Sequence, residues 1–249
     1  MRRARALGQA VLLTTFALAA FALPGPARAA DSAGANGPVP GLMRIGIIGA
    51  GKMGGTLARL WADAGYEVMI SSRHPNELLS TAQSIGHDVR TGAPADAVGF
   101  GDVVVISIPY GAEPALGQEL SPRMAGKVVI DLGNPYPERD GKMAVEARRE
   151  GTGVASAKFF PGVRLVRAFN AISYVVLGKE AHRAGEPLGI PIASNDKNAI
   201  AITERLVRAA GFAPVVVGPL SSARRFDVGT PVYVKELTAS QLRAKLGLP

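Results

Sequence analysis

The chain has 249 residues, 47% hydrophobic and 19% charged, which suits one large or two small globular domains and excludes a largely disordered protein. Its formal charge is +8, but half of that comes from Arg2, Arg3, Arg5 and Arg28, and no run of five like charges forms a nucleic-acid-binding tail. The absence of cysteine excludes disulfides, thiolate catalysis, iron–sulfur clusters and cysteine-ligated zinc.

In chain order, Arg2, Arg3 and Arg5 precede an apolar run from Ala10 to Leu23, broken by Pro24-Gly25-Pro26 and followed by Ala27-Arg28-Ala29. This layout predicts a signal peptide over 1–29 and export to the periplasm or beyond, by a Sec or a Tat route. The apolar run is too short for a stable membrane span. Residues 30–42, rich in small residues, Pro and Gly, read as a tether. A start at Met43 would instead leave the fold in the cytoplasm.

Ile45–Ile48 reads as a buried strand, and Gly49-Ala50-Gly51-Lys52-Met53-Gly54 after it matches G-x-G-x-x-G. Gly49 allows the tight turn, Gly51 lets backbone approach a pyrophosphate, and Gly54 lets the next helix pack on the sheet. That helix carries Met53, Leu57, Leu60, Trp61 and Ala64 on one face and ends at Gly65. The second strand, Val68–Ile70, closes on Ser71, Ser72 and Arg73, where NAD sites carry an acid for the ribose 2′-OH. Hydroxyls and a guanidinium suit a 2′-phosphate, so this end predicts NADP(H).

Further apolar runs at 103–108, 128–130, 165–168, 190–193 and 215–217 lack in/out alternation, as strands covered on both faces do. With helices between most of them, including one through Ile200, Leu206 and Val207 that stops near Gly211, the pattern predicts an α/β fold. The expected form is a doubly wound, mostly parallel sheet of Rossmann type. Its nucleotide domain is expected over 43–155 and a smaller acceptor-binding lobe, continuing the sheet, over 156–249.

Taken with IGIIGAGKMGG, SSR, VVISIPYGA (104–112), VVIDLGNPY (128–136), VRAFNAI (166–172) and GPLSSAR (218–224), the sequence resembles the NADPH-dependent coenzyme F-420 (F420) reductase family. The resemblance runs from Met43 to about Val234. It implies a nicotinamide across the strand ends beside Pro109, Tyr110 and Asn134, and a deazaflavin or flavin-like acceptor near Asn170, Ala171, Ile172 and Tyr174. Direct hydride transfer between two flat rings needs orientation and water exclusion rather than a protein acid or base, so no catalytic side chain is expected. Alternative readings are a reductase of an imine or small carbonyl compound, and a non-catalytic exported NADP-binding protein. By family analogy a homodimer is implied.

Other polar residues have two readings each. His74 either touches the nucleotide or occupies a turn before Pro75, and His87 and His182 lack partners spaced for a metal. Asp131 either serves the site or caps the turn after its strand. Arg224-Arg225 either meets an anionic substrate or is a solvated basic pair.

Overall fold

A computed structural model describes residues 43–249; the expected signal peptide and tether, at 1–29 and 30–42, lie outside the described residues. Eight strands form one sheet: β1 (Ile45–Ile48), β2 (Val68–Ser71), β3 (Arg90–Gly92), β4 (Val103–Ile106), β5 (Val128–Asp131), β6 (Arg164–Arg167), β7 (Gly189–Ser194) and β8 (Ala213–Gly218). Their order is 3-2-1-4-5-6-7-8. All neighbours from β3 to β6 are parallel, β7 runs antiparallel to β6, and β8 is parallel to β7. This is the expected α/β class.

The central strands are fully buried because helices cover both faces of the sheet. One layer packs helices Lys52–Asp63 and Lys197–Ala209 against β1, β5 and β7, around Trp61. The Trp61 indole donates to the Leu206 carbonyl at 2.9 Å and meets Phe169 edge-on, which ties the two helices together. The other layer packs Leu116, Leu120 and Met124 of helix Glu113–Met124 against β4 and β5. β3 went unpredicted because Arg-Thr-Gly at a sheet edge has no apolar run.

From β1 the chain builds outward to β3, then crosses to β4 on the other side of β1. Loops leaving β1 and β4 therefore diverge, and a crevice opens at their carboxyl ends. There the helix Lys52–Asp63 must lie close to the turn that precedes it. A Cβ built on Gly54 would overlap the Gly49 carbonyl oxygen, and no side chain at 54 escapes that overlap. Gly54→Ala is expected to destabilise the fold by about 1–3 kcal/mol, the range for overpacking, and to lower Tm by about 2–10 °C in a thermal melt.

Candidate functional site

The glycine turn presents backbone rather than side chains. Gly49 has φ +99°, the left-handed region, and its N–H donates to the Ser71 carbonyl at 3.0 Å. Space in front of Gly51 is open, with nothing within 4 Å of a built Cβ. No side chain caps helix Lys52–Asp63, so its first-turn N–H groups are free to bind an anion. An open glycine face and uncapped amides fit a dinucleotide diphosphate. Ala50 packs inward against the core, while Lys52 reaches over the turn to the Tyr174 hydroxyl at 3.0 Å.

At the end of β2 the expectation needs one correction. Ser71 is fully buried, and its hydroxyl donates to the Ile47 carbonyl at 2.9 Å, so it serves the sheet rather than a phosphate. Strand alternation turned that side chain inward. Ser72 and the exposed Arg73 remain at the surface, with no carboxylate among residues 71–76. The Ser72 hydroxyl accepts from the His74 N–H at 3.0 Å, which shapes the turn.

Next to the glycine turn lies a cavity of about 450 Å³. It brings together Gly51, Lys52, Met53, Pro109, Asn134, Asn170, Ile172 and Tyr174 from the expected set. It adds Tyr136, Arg139 and Tyr233, which the sequence had not singled out, and no acidic side chain lines it. Asn134 Nδ2 donates to the Asn170 carbonyl at 2.8 Å and to the Tyr233 hydroxyl at 3.3 Å. The hydroxyls of Tyr136 and Tyr233 are hydrogen-bonded to each other. Burial, and then Tyr136, push the Tyr233 phenol up. Val234, with φ 48°, and Phe169, with φ 60°, are left-handed non-glycine residues at this margin. Backbone strain of that kind persists only where surrounding contacts over-determine it.

Two more expected residues stand apart from the cavity. Tyr110 is fully buried and edge-on to Phe159, beside Ala147 and Ala155, and does not line the cavity. It opens the short turn Tyr110–Ala112, which swings its ring into the helical layer, and burial raises its phenol pKa. Ala171 is buried in the core, its carbonyl accepting from the Val234 N–H at 2.9 Å. Arg224 donates to the carbonyls of Arg149 and Glu150, and Arg225 to that of Leu246, so this pair ties chain segments together. His87 lies 2.8 Å from the Asp63 carboxyl, and neither residue lines the cavity. Among the described residues no group of three or more His, Cys, Asp and Glu is placed to hold a metal, and no helix is long and apolar enough to cross a membrane.

The cavity floor rests on a buried charge cluster. Arg167, fully buried at the end of β6, donates through Nη1 to Asp131 Oδ2 and through Nη2 to the Gly133 carbonyl, both at 2.6 Å. Asp131 also accepts from the Gly133 N–H at 2.7 Å, so it both caps the turn and holds the guanidinium. Burial alone would lower the Arg167 pKa, but the Asp131 and Asp227 carboxylates outweigh it and raise it. Arg167→Met would strand buried carboxylates without their cation. It is expected to cost about 3–5 kcal/mol in urea unfolding, and Arg167→Lys should recover only part because an ammonium lacks the planar fork.

Residues 44–135 match the family model described as NADP oxidoreductase, coenzyme F420-dependent. The chain is 29% identical over 209 residues to the F420-dependent NADP reductase of Methanothermobacter thermautotrophicus, covering 78% of this chain and 88% of that protein. It is 28% identical over 204 residues to metalloreductase STEAP3 of Rattus norvegicus, covering 80% of this chain and 39% of that protein, so it spans about two fifths of that relative's length. Among solved structures, hypothetical protein SMa0349 from Sinorhizobium meliloti is similar with TM-score 0.66 and 26% identity, over 79% of this chain and 95% of that one.

Proposed function

We propose that the chain, which matches the family model of F420-dependent NADP oxidoreductases over residues 44–135, transfers hydride between NADP(H) and a deazaflavin acceptor of the coenzyme F420 type. The observation that carries this reading is the continuity of the two half-sites. Gly51, Lys52 and Met53 of the phosphate turn line the same cavity as Asn134, Asn170 and Tyr174. A nucleotide held by the turn would lay its reactive ring in that cavity, which is of ligand size.

NADPH, when bound, supplies the hydride; the chain supplies binding, orientation and dryness. Arg73 and Ser72 would hold the 2′-phosphate, and the open amides of the turn the diphosphate. Asn134 is already fixed by its Nδ2 bonds to Asn170 and Tyr233, so its Oδ1 can accept from a carboxamide N–H without losing side-chain freedom on binding. Pro109, Ile172 and Tyr174 are the surfaces that would exclude water from two stacked rings.

A second reading is that the acceptor is a flavin presented by another module or protein. It draws on the match to one part of a metalloreductase and on Tyr174, Val175 and Val234, large apolar or aromatic side chains left exposed at or beside the cavity.

Two measurements test these statements. Loss of the nicotinamide absorbance of NADPH, followed in parallel with a deazaflavin, a flavin and a cyclic imine, is expected to be fastest with the deazaflavin. Faster loss with free flavin would favour the second reading, and tight NADPH binding without turnover on any acceptor would overturn both. Arg73→Glu is expected to weaken NADPH binding about ten- to hundredfold, the equivalent of a charge-assisted hydrogen bond of about 1.5–3 kcal/mol, while sparing NADH. Unchanged NADPH affinity would remove Arg73 from the site.

A further inference from the structure

Beneath the cavity the chain buries three carboxyl groups around one guanidinium. Glu113 opens helix Glu113–Met124, Asp131 ends β5, and Asp227 comes from the segment after β8. Arg167 lies 2.6 Å from Asp131 and 4.0 Å from Asp227. If all three were ionised, two negative charges would remain uncompensated out of water, so the arrangement calls for one of them to keep its proton.

Partner geometry identifies which. Asp131 has the guanidinium and the Gly133 N–H, and Asp227 accepts from the Thr152 N–H at 2.9 Å. Glu113 has only the Ser156 hydroxyl, at a long 3.4 Å, and its Oε1 has no partner. Around it stand Asp131 from the sheet, Arg167 from the neighbouring strand, Tyr110 from the preceding turn and, farther out, Arg139. Burial first, and then the Asp131 charge, hold the Glu113 carboxyl well above the ordinary carboxylate range.

The position of this acid is as informative as its charge. A Cβ built on Gly133 would overlap Glu113 Oε1, so the carboxyl presses directly on the Gly133 backbone, one residue from Asn134. We propose that Glu113, as a neutral acid, is a positioning residue for the nicotinamide end of the site, holding turn 132–134 and through it Asn134. On ionisation, Glu113 competes with the Gly133 carbonyl for the Arg167 guanidinium, and the turn loosens. The inference rests on the oxidoreductase reading above.

The sign follows from linkage. A group whose folded-state pKa is raised stabilises the fold fully below the unfolded carboxylate pKa and loses that contribution as pH rises through the folded value; ligand binding reads the folded state alone, so the positioning effect is full while folded Glu113 keeps its proton and is lost over the same rise. Calorimetric titration of wild type with NADP⁺ from about pH 6 to about pH 9.5 is expected to show affinity falling about tenfold along an alkaline limb, the equivalent of one hydrogen bond between uncharged groups. Glu113→Gln, an isosteric neutral mimic, should bind as wild type does at the acid end and lack the limb. The ligand 2′,5′-ADP, which has no nicotinamide, should titrate without the limb in either protein.

A flat wild-type NADP⁺ profile, a limb that survives in Glu113→Gln, or a limb shared by 2′,5′-ADP would each overturn the positioning role. If Glu113→Gln does not fold, the two wild-type profiles still decide. Failure of wild type to bind NADP⁺ at any pH would instead sink the oxidoreductase reading itself, and this inference with it.

Discussion

The Arg167–Asp131 pair is the constraint on which the carboxyl edge of the sheet depends. The two residues are register partners at the ends of adjacent parallel strands, so their side chains meet across the ladder with no long reach. Arg167 then takes the Gly133 carbonyl, and Asp131 the Gly133 amide. One buried ion pair thus shapes the loop that carries Asn134, and Asn134 in turn bonds the loop that follows β6. Desolvation of both ions offsets much of their attraction, so the pair contributes less to stability than its short distance suggests. Its effect is geometric: with five donors in a fixed plane, the guanidinium permits few arrangements of the loops around it.

The two halves of the site are built by different means. The phosphate end uses backbone: a left-handed glycine, an open glycine face and uncapped amides, with positions dictated by β1 and its helix. The cavity end uses side chains from segments far apart in sequence. Tyr136 and Tyr233, 97 residues apart, meet through their hydroxyls, and the Asn134 side-chain amide donates to the Asn170 backbone carbonyl. The first construction depends on local conformation, the second on correct packing of the whole sheet.

That difference explains what the sequence made legible. Seven of the eight strands showed as apolar runs, and the glycine turn showed through its spacing, because both follow from local rules. The burial of Ser71 was readable in principle, since it ends a strand expected to be covered on both faces; its hydroxyl then takes the Ile47 carbonyl. Arg167 carried a signal that passed unused: a charged residue inside Leu-Val-Arg-Ala-Phe, a run otherwise fit for the core, needs a buried partner. Which acid would supply that partner depends on strand order, and no local pattern encodes strand order. Tyr110 misled because its distance from the strand end suits a cavity residue, whereas the turn it begins rotates its ring toward Phe159.

The reversal at β7 has a consequence for how such a protein can diversify. Because β7 and β8 run against the other strands, their carboxyl ends open on the opposite edge, and the chain must return along residues 219–237 to close the cavity with Tyr233 and Val234. The far wall of the pocket is therefore a surface segment and not a set of strand termini. Such segments accept insertions at small entropic cost, because closure entropy grows only logarithmically with length. Lengthening or recasting this return would resize the pocket for a new partner molecule while the nucleotide grip, anchored on β1 and β2, stayed intact.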